Sequence, residues 1–101
     1  MSHLPQRWLG IILRSVRVHY PDARLVAWGA MVDDGPDSAG PGDRLELVIL
    51  DPPDPNPAVL SRIRSDLEAS DLPVEADLRP LTDLTMTEQE EVLQRGEQFG
   101  G

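Results

Sequence analysis

Apolar residues recur along the chain at two different spacings, and the spacing separates predicted helices from predicted strands. Residues 6–20 carry apolar or aromatic side chains every three or four positions, which predicts an amphipathic helix ending at the turn of Pro21 and Asp22. Residues 24–28, RLVAW, are a short run of strand-forming residues that Gly29 ends. The side chains sharing the helix face are Trp8, Ile11, Ile12, Val16 and His19.

Alternation of apolar and charged side chains, which in the first case is limited to residues 44–47, predicts two further strands. In residues 44–50, RLELVIL, the leucines and isoleucine at odd positions face one way, whereas Arg44 and Glu46 begin the opposite face. In residues 74–78, VEADL, the apolar positions alternate with acidic ones, the second of which is Asp77. Both strands therefore present one apolar face to a core, and their charged side chains lie on the opposite face, which in the first strand also carries Val48.

Capping signals predict two more helices. Asn56 suits the N-cap position and Pro57 the first helical position, which predicts a helix over residues 57–69. A last helix is predicted to begin near Thr85 or Thr87, because a glutamate follows each threonine three residues later, as in a capping box. The apolar stripe of the first of these helices consists of Leu60, Ile63 and Leu67.

The order of these elements predicts one small α/β or α+β domain over residues 1–101, with a mixed sheet of about three strands flanked by helices. Residues 33–43, DDGPDSAGPGD, are predicted to form a flexible solvated loop, because glycine, proline and aspartate oppose both helix and strand. The tail, residues 96–101, is predicted to be frayed. Because the sheet has so few strands, we expect its open edge or a helical face to be covered by a partner.

The charge of the chain narrows the classes of partner. Its 101 residues include 9 basic and 18 acidic side chains, for a formal net charge of −9. This balance argues against direct nucleic-acid binding, which depends on lysine and arginine neutralising phosphates, and favours a partner with a basic surface. No segment resembles a signal peptide or is long and apolar enough to span a membrane, so we expect a cytoplasmic protein.

Two carboxylates are the candidate ligands of a metal site. If the second and third strands are neighbours, Glu46 and Asp77 would lie side by side on one sheet face, where paired carboxylates can hold Mg²⁺. Gly29 would let a phosphate approach the backbone at the end of the first strand. The alternative interpretation is that both carboxylates are ordinary solvated side chains on the exposed face of a half-buried strand.

Three segments together resemble the minimal nucleotidyltransferase family of the polymerase-beta-like nucleotidyltransferase superfamily. They are PDARLVAWGAM, DRLELVIL and EASDLPVEADL, and the resemblance covers residues 6–95. Members of that family have a strand running into Phe-Gly-Ser-Arg, then an Asp-x-Asp strand, a helix, and a strand with a third aspartate. The resemblance implies that Gly29 and Ala30 occupy the nucleotide-binding glycine–serine motif and that Asp77 is the third aspartate.

The departures from the family pattern imply a degenerate site. Ala30 replaces the phosphate-binding serine, Arg44 the first metal-binding aspartate and Glu46 the second. A guanidinium at the first position would repel Mg²⁺, and we expect Arg44 to form a salt bridge with Glu46 or Asp77. Asp43 could replace the missing aspartate only if a β-bulge turned it inward.

The resemblance implies an inactive nucleotidyltransferase-like domain that binds a small helical HEPN-like protein, as antitoxins of that family do, with no cofactor expected. Two alternatives stay open. One is an active enzyme that uses Glu46, Asp77 and Asp43 with Mg²⁺ to transfer a nucleotidyl group from ATP to a protein hydroxyl. The other is a structural homodimer formed through the free sheet edge or the first helix.

Overall fold

The helices and strands of the chain are seen in a computed structural model that describes residues 4–29, 32 and 44–100. The predicted loop over residues 33–43 lies outside the described residues. The elements follow in the order α1 (Gln6–Arg17), β1 (Arg24–Trp28), β2 (Leu45–Asp51), α2 (Pro57–Ala69), β3 (Ala76–Pro80), a 3-10 turn (Leu81–Asp83), α3 (Met86–Arg95) and β4 (Glu97–Phe99).

The strands form one mixed sheet in the order β3-β2-β1-β4. β1 pairs with β2 and with β4 in antiparallel orientation, whereas β2 and β3 are parallel and α2 connects them. A parallel pair requires such a crossover connection, and a helix supplies it. The predicted α+β class with a mixed sheet is confirmed, but the sheet has four strands rather than about three.

The fourth strand corrects the prediction for the tail. Residues 96–101 are predicted to fray, yet Glu97–Phe99 form β4 and pair with residues 25–27 of β1. The chain can return to the sheet directly after α3 because Gly96 lies against β1. A Cβ at Gly96 would lie 2.2 Å from Val26 Cγ1 and 2.4 Å from the Val92 carbonyl oxygen. Only glycine fits this approach without a shift of its neighbours.

The bounds of three elements differ from the predictions. β2 (Leu45–Asp51) begins and ends one residue later than the predicted strand over residues 44–50. α1 ends at Arg17 rather than at Tyr20, because the N–H groups of His19 and Tyr20 both donate to the Val16 carbonyl oxygen, at 3.0 and 2.9 Å, and close the helix. β3 begins and ends two residues later than the predicted strand over residues 74–78. The alternation of its faces is nevertheless as predicted.

The sheet separates two apolar clusters. The larger cluster lies between the sheet and the helices α1 and α2, and the smaller lies on the opposite face, where α3 packs. The fully buried large side chains of the larger cluster are Ile12, Val16, Leu25, Leu45, Leu47, Ile49, Ile63 and Leu78. The buried residues of the smaller cluster are Val26, Val48, Leu84 and Val92.

Both predicted caps are confirmed. The Asn56 side chain accepts a hydrogen bond from the Ala58 N–H at 2.9 Å, and α2 has the predicted bounds. Thr85, rather than Thr87, caps α3 in a reciprocal capping box with Glu88. Glu88 thus lies in the first turn of α3, where its charge acts on the pKa of Glu46.

Candidate functional site

The two predicted carboxylates lie on neighbouring strands at the same level. Glu46 of β2 is the register partner of Asp77 of β3. Because Leu45 and Leu47 point into the larger cluster, alternation turns Glu46 to the opposite face, which it shares with Val48 and α3. The predicted juxtaposition of Glu46 and Asp77 on one sheet face is therefore confirmed.

The glycine that ends β1 borders the same place. Trp28 is the register partner of Glu46, and Gly29 follows it with a positive φ of 98°. A Cβ at Gly29 would lie 3.5 Å from Glu46 Cγ, so the backbone of Gly29 runs beside the Glu46 side chain. The structure thus brings together Gly29, Glu46 and Asp77. Two other predicted site residues, Ala30 and Asp43, lie outside the described residues.

A guanidinium occupies the space beside this carboxylate pair, and it belongs to Arg79. Arg79 Nε lies 2.9 Å from Asp77 Oδ2. The two residues are two positions apart on β3, so they point to the same face. Asp77 is mostly covered, with a side chain only 17% exposed, whereas that of Arg79 is 49% exposed. The neighbouring Asp77 carboxylate raises the pKa of Arg79 above its usual value.

Arg44 does not make the predicted contact with Glu46 or Asp77. Its Nε lies 3.2 Å from Glu75 Oε2, and both side chains are largely exposed. The reason is the register of the parallel pair. Leu45 is aligned with Ala76, so the residue before each of them, Arg44 and Glu75, meets at the end of the strands. The predicted bridge is wrong, and Arg44 lies at the rim of the site.

Glu46 is partly buried and lies close to other charged side chains, and both conditions change its pKa. Burial raises the pKa of Glu46 above its ordinary value, and the neighbouring Asp77 carboxylate raises it further. The guanidinium groups of Arg79 and Arg44 oppose this rise without reversing it. Of the two carboxylates, Glu46 is therefore the one whose charged form is disfavoured, because Arg79 forms its ion pair with Asp77.

A third acidic residue approaches from α3. Glu88 Oε1 accepts a hydrogen bond from the Thr85 N–H at 3.0 Å, and the Glu88 N–H donates to Thr85 Oγ1 at 3.2 Å. These bonds lower the pKa of Glu88. Its charge adds slightly to the rise in the pKa of Glu46, so the capping box contributes to the field of the site.

Two residues of this face are missing from the sequence-based site. Arg79 was detectable from the same alternation that placed Asp77, had the strand been extended past residue 78. Glu88 was recognised only as a capping residue, because nothing in the sequence shows that the first turn of α3 lies close enough for its charge to act on Glu46. Among the described residues, no group of three or more histidine, cysteine, aspartate or glutamate side chains has the arrangement of a metal site.

Comparison with known proteins does not identify a family. No family model matches the chain, and no curated protein matches it.

None of the helices in the described part of the chain has the length and apolar character needed to cross a bilayer.

Proposed function

We propose that this chain is a nucleotidyltransferase-like domain that holds an arginine in place of a metal and acts by binding another protein. One observation carries the proposal, the ion pair between Arg79 and Asp77 directly beside Glu46. A metal-dependent transferase needs clustered negative charge to hold its cation and the phosphates. Here a permanently charged guanidinium from the same strand already balances one carboxylate.

The arrangement of the sheet supports the nucleotidyltransferase-like part of the proposal. The three motifs of the resemblance can form one site only if the strand with the first two acidic positions lies beside the strand with the third. The glycine motif must also end a strand next to them. Glu46, Asp77 and Gly29 have these relative positions. Two cationic side chains, Arg44 at the strand end and Arg79 beside Asp77, lie around this site. Binding of a metal ion would need carboxylates there instead.

The proposed partner is a small helical, HEPN-like protein with a basic surface, and the relationship is that of antitoxin to toxin. The net charge of −9 favours a cationic partner and disfavours direct binding of nucleic acid. α3 offers an apolar contact, because Met86 and Leu93 are 73% and 60% exposed and lie two turns apart on one side of the helix. A cytoplasmic location belongs to the same proposal.

The partner proposal is tested with a helical protein encoded beside this chain in its genome. We expect the purified proteins to form a complex that weakens with salt, since opposite charges attract across the interface. Met86→Ser should weaken binding about tenfold, which is roughly 1.4 kcal/mol. Val18→Ser is the matched control, because Val18 is as exposed as Met86 but belongs to the end of α1. Equal effects of the two substitutions would contradict the assignment of α3.

The active-enzyme alternative is favoured by the adjacency of Glu46, Asp77 and Gly29. Incubation with Mg²⁺ and ATP labelled in the α-phosphate separates it from the proposal. The proposal expects no transfer of label to the candidate partner. Transfer that Asp77→Ala abolishes would establish the enzyme instead. The homodimer alternative predicts twice the monomer mass in light scattering, whereas the proposal predicts a monomer.

A further inference from the structure

β3 forms one outer edge of the sheet. Its hydrogen bonds to β2 show which of its backbone N–H and C=O groups point away from the sheet. The Leu45 N–H of β2 donates to the Glu75 carbonyl oxygen at 2.8 Å. In a parallel pair, backbone groups alternate in direction from residue to residue, so Asp77 and Arg79 also bond toward β2. The backbone groups of Ala76, Leu78 and Pro80 therefore face away from the sheet.

One arginine of α2 closes the middle of this edge. Arg64 donates to the Leu78 carbonyl oxygen from Nε at 3.0 Å and from Nη2 at 2.7 Å. A charged donor makes a stronger hydrogen bond than a neutral one, and two of them use both lone pairs of this oxygen. Pro80 has no N–H to offer at the next outward position, as is typical of residues on sheet edges.

The edge of β3 has the pattern needed to pair with itself. Two copies in antiparallel orientation, with their Leu78 residues opposite each other, would exchange two hydrogen bonds between Leu78 N–H and C=O groups. The same alignment places Asp77 of one copy opposite Arg79 of the other, and the reverse. Opposite charges in facing positions stabilise such a pair. Both central hydrogen bonds need the carbonyl oxygen that Arg64 occupies.

We propose that the free edge of β3 is a pairing surface for a second copy of this chain, and that Arg64 keeps it closed. The guanidinium takes the Leu78 carbonyl oxygen, so strand addition must first break two charge-assisted hydrogen bonds. The sheet edge is thereby protected from self-association without a covering strand. This inference goes beyond the proposed function: Asp77 and Arg79 contribute facing charges to the pairing, but Arg64 and Leu78, which decide whether the edge is open, lie outside the carboxylate site.

The experiment compares Arg64→Met with Arg62→Met. Methionine keeps much of the aliphatic stem and removes the donors, and Arg62 is an exposed arginine two positions away on α2. Circular dichroism establishes that the variants are folded, and sedimentation velocity over a concentration series gives their masses. We expect the original chain and Arg62→Met to remain monomeric and Arg64→Met to form a dimer at the higher concentrations.

Amide hydrogen exchange locates the contact. Leu78 is fully buried, but the Ala76 N–H also faces outward and Ala76 is partly exposed. The Ala76 amide should therefore exchange rapidly in the monomer and become protected in the Arg64→Met dimer, where it faces Pro80 of the second copy. A folded Arg64→Met that stays monomeric would overturn the proposal, as would a dimer in which the Ala76 amide still exchanges rapidly. If methionine at this position unfolds the chain, Arg64→Gln provides the second variant. Its shorter, neutral side chain loses both charge-assisted hydrogen bonds, so we expect a dimer, and a folded Arg64→Gln that stays monomeric would overturn the proposal.

Discussion

Two arginines lie near the carboxylates of Glu46 and Asp77, and their positions give them different roles. Arg44 reaches outward to Glu75 at the end of the strands, where both side chains are mostly exposed. An ion pair of this kind contributes little to stability. Arg79 contacts Asp77, which is largely covered, and so it balances a carboxylate that would otherwise be poorly solvated. Of the two arginines, Arg79 therefore has the stronger influence on the site.

The charge of Glu46 should destabilise the folded chain at neutral pH. Its pKa is raised in the folded protein, so the folded state holds the proton more tightly than the unfolded state does. The free energy of unfolding therefore falls as pH rises through the interval between the ordinary and the raised pKa. Glu46→Gln removes the charge and with it this fall in the free energy of unfolding. We expect the variant to be more stable than the original chain at pH ~7, with the difference vanishing below the ordinary pKa of glutamate.

Denaturant unfolding of both proteins over a pH series measures this difference. Glu75→Gln is the control, since it removes the same charge from an exposed position on the same face. We expect it to change stability by less than about 0.5 kcal/mol at any pH. A Glu46→Gln variant that is less stable than the original chain at neutral pH would show that the Glu46 charge is stabilised by Arg79, contrary to the burial argument.

At the scale of elements, the connection from α3 to β4 depends on one close approach. Gly96 lies between the end of α3 and β1, with the Val26 side chain and the Val92 carbonyl oxygen on either side. The short strand that follows gives the sheet its fourth member and covers the outer side of β1. The position of α3 over the charged face therefore rests on a glycine as well as on the burial of Val92.

Gly96→Ala should destabilise the chain by about 2–3 kcal/mol, because the added methyl group overlaps both a side chain and backbone. Gly10→Ala is the matched control. Nothing lies within 4 Å of a Cβ at Gly10, which is inside α1, so alanine should stabilise the helix by about 0.5–1 kcal/mol. Thermal or denaturant unfolding compares the two. A neutral Gly96→Ala would mean that β4 is not held against β1 as described.

The capping box of α3 gives a second element-scale prediction. Thr85→Ala removes the acceptor for the Glu88 N–H and should reduce the free energy of unfolding by about 1 kcal/mol. Thr87→Ala changes the same residue type inside the first turn, where no cap is lost, and is expected to be neutral or slightly stabilising. The opposite ranking of the two variants in denaturant unfolding would move the start of the helix to Thr87.

Over the chain as a whole, the sequence predicts which side chains share a face of the sheet better than it predicts contacts between distant segments. Alternation over residues 44–50 and 74–78 was sufficient to place Glu46 and Asp77 each on the charged face of its own strand, because a half-buried strand has a period of two. That the two strands are neighbours was a condition of the prediction, and the structure meets it. The stagger of β2 against β3 is a tertiary property, and it decides that Arg44 meets Glu75. β4 has only three residues, too few to show any periodicity, so its pairing with β1 was missed.

We propose that the Arg79 guanidinium, rather than a metal ion, balances the Asp77 carboxylate, and that the chain binds protein rather than a metal–nucleotide complex. Isothermal titration of the purified chain with Mg–ATP, alongside Asp77→Ala, distinguishes the two. We predict no saturable binding heat at ligand concentrations up to the millimolar range, and no difference between the two proteins. Saturable binding with a dissociation constant in the micromolar range, lost in Asp77→Ala, would contradict the claim.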